Sequence, residues 1–561
     1  MRAPLLVAGI CLVLFFTGLG SVPFYTRGEP REALVAREML HTGEWLVPSR
    51  PEGELTRKPP LFYWVAASAL TLFPDRPELA VRLPSAVLAT IGVLVLWAAV
   101  QSAFGGSVAV LAALVLATTF EWTRAATVAR VDMALAAGLT VVLGAWLVML
   151  LGERRSRPAL LLLAIAGVTI ATLSKGPVAV ILPALAVGAS IAWQRDWSFL
   201  PRLRVLPVLI IGAMAAALWY GVAFAREGGA FLHVVVQENL LRFVDTADAG
   251  TGHAHGLGYL PFVGMIGLLP WTLLLPLACA PLADARRRDP RVVLLAAWVV
   301  VVLVFFSIAA AKRSVYLLPL FPALAVLLAL GVEQPPGGRL GRVLQVTSAN
   351  YAPALVILGI AAGALASGVD VVAVLRRWLK PRDAQNTLAI VAAARAAAPE
   401  LLALGLVAIG AAVLIARARR QSDWRRVTLV LVGVTCAWHV VFGGFLHATL
   451  GSAASLAPFM TRVDQLVPPD AQLHTPFPPD AGLRFYAPRP LLQWKASVRG
   501  PAYLLFWEDE RRPWRDTNGQ SLEPLAVSEA SEPRRGTLDL MLLPEGAQLE
   551  NHSVRTGSRS R

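Results

Sequence analysis

Residues 28–64 read GEPREALVAREMLHTGEWLVPSRPEGELTRKPPLFYW, a charged stretch enclosed by apolar sequence. From Arg27 to Lys58 it carries six acids (Glu29, Glu32, Glu38, Glu44, Glu52, Glu54) and six bases (Arg27, Arg31, Arg37, Arg50, Arg57, Lys58). One apolar run precedes it at 3–24, and a long succession follows from residue 79. Charges are tolerated at a bilayer surface, but charges facing a cavity between helices are expensive and usually functional. The stretch therefore reads as an extramembrane loop, and the rest of the chain as its membrane scaffold.

The composition agrees. The chain of 561 residues is 56% hydrophobic and 16% charged, with positive mean hydropathy. Soluble domains carry roughly 25% charged residues. The net charge of +15 would suggest nucleic acid in a soluble protein. Here the excess sits in short loops between apolar runs, so no nucleic-acid partner is expected. Cys11, Cys279 and Cys436 all fall inside apolar runs, a spacing that builds neither a disulfide framework nor a CxxC metal pair.

Apolar runs near 3–24, 79–102, 104–121, 131–152, 158–174, 176–194, 205–224, 256–280, 291–311, 315–333, 345–369, 401–419 and 427–449 predict about thirteen transmembrane helices. With the N-terminus inside, the predicted cytoplasmic loops at 152–158, 194–204, 283–291, 335–342 and 417–426 are all arginine-rich. The positive-inside rule requires this parity. The 28–64 loop, the 124–132 region, the turn at Lys175, the 225–255 loop and the 312–316 turn then face outward. Residues 370–400 read as an amphipathic segment on that surface. Residues 1–449 form the membrane domain, with loop helices expected in 25–64 and 225–255. Residues 450–561 form a small external α/β domain, with strand-like runs GLRFYA, PAYLLFW and TLDLMLL and a disordered basic tail.

Each outer motif has a plain structural reading beside a functional one. Pro30 suits the first turn of a helix, Glu29 and Glu32 suit its positive end, and Val35, Ala36, Met39 and Leu40 share a face. These fit an ordinary surface helix with solvated charges as well as a site. Lys58 precedes Pro59-Pro60, which hold the backbone extended, and the aromatic run 61–64 belongs at the interface. A lysine so fixed suits a phosphate, or simply snorkels to headgroups. Asp132 opens an apolar run, where an unpaired charge costs a few kcal/mol; it either has a role or pairs with Arg130 or Arg124. Gly176-Pro177 explains the turn after Lys175 on backbone grounds alone. Gln237-Glu238-Asn239-Leu240-Leu241-Arg242-Phe243 lies in the long outer loop. His253 and His255 beside it do not suffice for a metal site. Lys312, Arg313 and Tyr316 put positive charge on the side the topology rule disfavours, a hint of an anionic ligand.

In order and spacing these motifs resemble the GT-C membrane glycosyltransferases of the aminoarabinose-transferase and protein O-mannosyltransferase superfamily, in its bacterial lipid-carrier-dependent branch. The motif resemblance covers roughly residues 1–330. The family carries an acidic pair after the first span; here Gly28 replaces the first acid, so the implied catalytic carboxylate falls on Glu29. Its Lys-Pro-Pro motif matches Lys58-Pro59-Pro60, its second-loop aspartate Asp132, and its Lys-Gly-Pro turn Lys175-Gly176-Pro177. Further matches are Glu238 to Phe243, Pro270-Trp271, and Lys312 with Tyr316.

The resemblance implies a GT-C fold in the bacterial inner membrane, with the active site and C-terminal domain periplasmic. It implies a polyprenyl-phosphate (undecaprenyl-phosphate) sugar as donor and a lipid, glycan or protein as acceptor, with membrane lipids around the spans. Asp132 and Glu29 are the implied catalytic residues. Lys58, Arg31, Arg57, Lys175, Arg242, Lys312 and Tyr316 are the implied substrate-binding residues. No cofactor is implied with certainty, and a divalent metal is left open. Two rivals stand beside this: a lipid-linked sugar transporter or flippase, and a non-catalytic assembly protein. A transporter predicts charges at mid-membrane and broken helices, whereas these charges gather at one face. Glu29, Lys58 and Asp132 together speak against a non-catalytic role.

Overall fold

Lipid offers no partner to a backbone N–H or C=O, so each apolar run must satisfy its own backbone as a helix. The computed structural model describes residues 2–26, 28–56, 58–152, 157–238, 255–283, 288–369, 391–392, 394–494, 501–511, 514–516, 523–532, 536–544 and 549–551. The chain divides into two compact units. The first comprises Met1–Leu19, Val35–Ser367 and Ala398–Gly444, and the second Gly20–Leu34, Gly368–Ala397 and Phe445–Arg561.

In chain order the helices are α1 (Arg2–Phe16), α2 (Glu29–Thr42), α3 (Leu61–Leu72), α4 (Pro77–Phe104), α5 (Gly106–Ala117), α6 (Phe120–Ala126), α7 (Asp132–Met149), α8 (Arg157–Lys175), α9 (Val178–Gln194), α10 (Phe199–Arg202) and α11 (Val205–Val236). They continue with α12 (Tyr259–Gly267), α13 (Leu275–Ala283), α14 (Pro290–Ile308), α15 (Phe321–Glu333), α16 (Gly338–Ser348), α17 (Tyr351–Ala366), α18 (Ala398–Arg420) and α19 (Trp424–Val441).

Among the described residues nine helices are long and apolar enough to cross a membrane, or up to eleven if two bent pairs each count as one span. The bent pairs are α5 with α6, at 65°, and α12 with Trp271–Ala283, at 103°. The two other predicted runs hold Ala3–Phe16 and Val178–Gln194, helical but shorter. At 1.5 Å per residue the former rises about 21 Å, less than a hydrocarbon core of about 30 Å.

The α5–α6 break shows how a bend survives inside apolar sequence. Thr119 is extended (φ −68°, ψ 122°), which frees carbonyls of the turn before it. Threonine hydroxyls take these up: Thr119 Oγ1 donates to Val115 O at 2.7 Å and Thr123 Oγ1 to Ala117 O at 2.9 Å, while Thr118 Oγ1 adds a second bond to Leu114 O at 2.6 Å. Phe120 N donates across to Leu269 O at 2.9 Å.

Helix pairing relies on glycine where backbones meet. A Cβ on Gly138 of α7 would lie 2.6 Å from Gly167 O of α8, and one on Gly167 equally close to Gly138 O. A Cβ on Gly331 of α15 would collide with Leu277 O of α13. Small residues that let helices touch are the usual device of membrane bundles, which have no water-driven attraction between helices.

The second unit contains α20 (His447–Ala454), α21 (Ala457–Leu466), α22 (Ala481–Tyr486) and α23 (Glu508–Arg511). Its strands are β1 (Leu473–Thr475), β2 (Leu491–Gln493), β3 (Ala502–Trp507), β4 (Trp514–Asp516), β5 (Pro524–Glu532), β6 (Gly536–Leu543) and β7 (Leu549–Asn551). Five form a mixed sheet in the order β2-β1-β3-β6-β5, and β4 pairs with β7. β1 runs parallel to β2 and β3, whereas β6 runs antiparallel to β3 and β5. Leu505, Trp507, Leu538 and Leu540 join one apolar cluster, and Leu504, Phe506, Met541 and Leu543 another. Residues of β3 and β6 thus bury both faces of the sheet, as their near-continuous apolar sequence requires. The early segment joins this unit through Phe24, whose N–H donates to Tyr486 Oη at 2.6 Å and whose carbonyl accepts from Ser455 Oγ at 2.9 Å.

Two of the three expected strands are present, as β3 and β6. The third, GLRFYA, is helix α22. Asp480 caps it by accepting from Leu483 N at 2.9 Å, so the cap overrides the strand-like composition. The amphipathic segment expected at 370–400 and the basic tail lie largely outside the described residues.

Candidate active site

Asp132 and Lys175 are 43 positions apart, and helix geometry brings them together. α7 and α8 touch at Gly138 and Gly167. Six residues from that crossing to Asp132 rise about 9 Å, and eight to Lys175 about 12 Å. The first residue of α7 therefore meets the last of α8. Lys175 Nζ donates to Asp132 Oδ1, with both side chains 11% exposed. Each charge also sits at the helix end whose dipole it complements. Arg130 and Lys58 add positive potential at the Asp132 carboxylate from farther off.

Lys175 has a second neighbour. Its Nζ stands 4.3 Å from the centroid of the Tyr316 ring, and Phe306 packs against that ring at 5.2 Å. A cation over an aromatic face is held by the ring quadrupole. Asp132, Lys175 and Tyr316 thus form one chain of contacts, buried at Asp132 and half-buried beyond it.

Lys58 follows a small antiparallel bridge between Ser49 and Leu55. Pro60 does not extend the chain as expected; it is helical (φ −85°, ψ −14°) and opens α3. Phe62 and Tyr63 are buried within the protein. Lys58 Nζ donates to Glu238 Oε1 at 2.7 Å, with the glutamate side chain 5% exposed and the lysine 23%. A small open cleft lies beside Lys58. Thr56, Lys58, Trp219, Tyr220, Phe231 and Val235 line it.

The loop that carries Lys58 is tied down on its other side. Trp219 Nε1 donates to Leu46 O at 2.7 Å and Trp64 Nε1 to Trp45 O at 2.6 Å. Arg226 meets both Glu44 oxygens at 3.0 and 3.1 Å. The N–H of Val47, then that of Leu46 and the Arg226 guanidinium, hold the Glu44 carboxyl below its usual range.

The other expected residues fall elsewhere. Lys312 is buried, and its ammonium donates to its own turn at Ala309 O, 2.6 Å away; an unfavourable sidedness here serves a backbone carbonyl. Arg124 does not pair with Asp132. It forms a two-pronged bond to Glu121, with Nε to Oε2 at 2.9 Å. Arg130 supplies field to Asp132, and the direct partner is Lys175. Glu29 is the first residue of α2, 1% exposed, and belongs to the second unit together with the exposed Arg31. Arg57, Arg242 and His253 lie outside the described residues. His255 stacks on Tyr259 at 3.9 Å. Among the described residues no group of three or more His, Cys, Asp or Glu side chains is placed to hold a metal.

Motif reading missed Glu121 and the aromatic wall of Trp219, Tyr220 and Phe231. Glu121 carried a signal, since it is an acid at the end of an apolar run. The aromatics carried none, because they are indistinguishable from lipid-facing residues until α11 is seen to bend.

The helical bundle and its small mixed sheet define a polytopic helical membrane protein. The fold matches the crystal structure of ArnT from Cupriavidus metallidurans bound to undecaprenyl phosphate, with a TM-score of 0.75 over 96% of this chain and 97% of that one, at 21% identity. Residues 57–220, which include Lys58, Asp132 and Lys175, match the family model described as dolichyl-phosphate-mannose-protein mannosyltransferase. Among curated proteins, the undecaprenyl phosphate-alpha-4-amino-4-deoxy-L-arabinose arabinosyl transferase of Aeromonas salmonicida (strain A449) is 31% identical over 57% of this chain. That of Pectobacterium atrosepticum is 28% identical over 64% of each chain. The aligned part spans 58% of the Aeromonas protein. The resemblance read from the motifs is thereby borne out.

Proposed function

We propose that this chain is an integral-membrane glycosyltransferase that moves a sugar from a polyprenyl-phosphate carrier to a lipid, glycan or protein acceptor at the periplasmic face of the bacterial inner membrane. Residues 1–449 are the catalytic membrane domain and 450–561 a periplasmic domain. The observation that carries the reading is a buried carboxylate, Asp132, held by Lys175 within the electrostatic reach of Lys58. The undecaprenyl-phosphate-linked sugar in the names of its curated relatives supports the same donor class.

In the transfer the acceptor oxygen bonds to the anomeric carbon and the bond to the phosphate oxygen breaks. The electron pair leaves with the phosphate. Lys58 offsets that developing charge, electrostatic work of the kind worth about 3–4 kcal/mol per donor. Asp132 orients a hydroxyl acceptor and takes its proton; a phosphate acceptor, already anionic, needs only positioning. Lys175 holds the Asp132 carboxyl in place, a positioning role in place of the phosphate contact implied by the motif. Glu29 is the second carboxylate of the proposal.

Transfer from a panel of polyprenyl-phosphate sugars in proteoliposomes tests this, with wild type beside Asp132→Asn, Glu29→Gln and Lys58→Ala. Loss of turnover in folded Asp132→Asn by about 100-fold or more is expected. Unchanged turnover in all three variants would remove the site assignment.

A further inference from the structure

Lys58, the lysine assigned to the donor phosphate, is already paired with a buried carboxylate, Glu238. Glu238 follows the last turns of α11, beyond a break in that helix. Gly228 there has φ 59° and ψ −135°, a region nearly closed to residues with a Cβ. No atom lies within 4 Å of a Cβ placed on Gly228 or Gly229. Beyond the break, Phe231 and Val235 form pocket wall, and Trp219 and Tyr220 face them from before it. The elbow of α11 therefore both shapes the pocket and delivers Glu238 to Lys58.

We propose that Glu238 is the exchangeable counter-ion of Lys58, yielding the ammonium to the donor phosphate and reclaiming it as the product phosphate leaves. The inference rests on the glycosyltransferase reading above. Its chemistry follows from charge. A polyprenyl-phosphate sugar is a phosphodiester with one negative charge. Breaking the bond to the anomeric carbon leaves a monoester with a charge of about −1.5 to −2 near neutral pH. A lone lysine holds that product more strongly than the substrate, and release slows. A resident carboxylate competes with both anions and keeps the ammonium paired when the pocket is empty, since an unpaired buried charge is costly. Turning residues 229–238 about Gly228 frees Lys58 and widens the pocket in one movement.

Binding of undecaprenyl phosphate to the full chain in nanodiscs tests the inference. Glu238→Gln is expected to bind at least about threefold more tightly than wild type, because the competing charge is gone while the hydrogen-bonding shape remains. Gly228→Ala, which opposes the elbow, is expected to tighten binding in the same direction. Equal or weaker binding by Glu238→Gln overturns the counter-ion role. Tighter binding by Glu238→Gln with none by Gly228→Ala keeps the counter-ion and removes the hinge. Lys58→Gln reports separately on the underlying reading: wild-type affinity there discards Lys58 as a phosphate ligand, whereas weakened affinity with an inert Glu238→Gln overturns this inference alone.

Discussion

Asp132 and Lys175 are strongly dependent on one another, because Asp132 is buried, the Lys175 side chain is only 11% exposed, and each is the other's direct ionic partner. Breaking a buried pair by removing one member typically costs about 3–5 kcal/mol, since the survivor is left charged in a poor solvent. Lys175→Met is therefore expected to lower both thermal stability and transfer. Tyr316 separates positioning from folding. Tyr316→Phe keeps the ring beneath the ammonium and is expected to keep most activity, whereas Tyr316→Leu removes it and is expected to lower kcat by about tenfold with little change in KM. Equal activity in the two variants would leave the ring contact without a role in positioning; the comparison is made by steady-state kinetics. At this scale the sequence was informative about one partner at a time. Asp132 stood out because a carboxylate opening an apolar run needs a reason. The alternative pairing open to it in sequence, with Arg130 or Arg124, is not the one that forms, because proximity in sequence is a poor guide when two helices return the chain to the same place.

The elements were legible where hydropathy sets them and illegible where distant backbone does. Every predicted apolar run carries helix, because lipid leaves the backbone no other choice. The break between α5 and α6 falls inside the single predicted run 104–121. It depends on threonine hydroxyls and on the carbonyl of Leu269, which no local pattern announces. In α22 the cap at Asp480 prevails over a strand-like composition, so the run GLRFYA is helix. The crossing of α7 and α8 makes the sharpest prediction for an element. Gly138→Ala places a methyl against Gly167 O, where a Cβ has only 2.6 Å, so the helices must part. A loss of about 1–3 kcal/mol is expected, with a larger fractional loss of transfer because Asp132 is drawn off Lys175. Gly188→Ala in α9, where nothing lies within 4 Å, is the matched control and should change neither thermal stability nor kcat/KM.

For the whole molecule, arginine supplies what helix packing does not: sidedness. The loops at 194–204, 335–342 and 417–426 are arginine-rich, while the connections that bear Lys58, Asp132 and Lys175 fall on the opposite parity. A periplasmic site follows from that asymmetry, and labelling from one side of the membrane tests it. With Cys11, Cys279 and Cys436 replaced by alanine, single cysteines at the exposed positions Glu54, Gln421 and Asp470 report three regions. In intact spheroplasts a membrane-impermeant maleimide is expected to label Glu54→Cys and Asp470→Cys and to leave Gln421→Cys unmodified until the membrane is opened. Labelling of Gln421→Cys alone would invert the topology and put the Asp132–Lys175 pair on the cytoplasmic side. Labelling of Glu54→Cys without Asp470→Cys would keep the site periplasmic and move the sheet unit across the membrane, which requires an odd number of crossings between them. The parity of the spans, on which two short helices and two bent pairs bear, is thus read from three thiols.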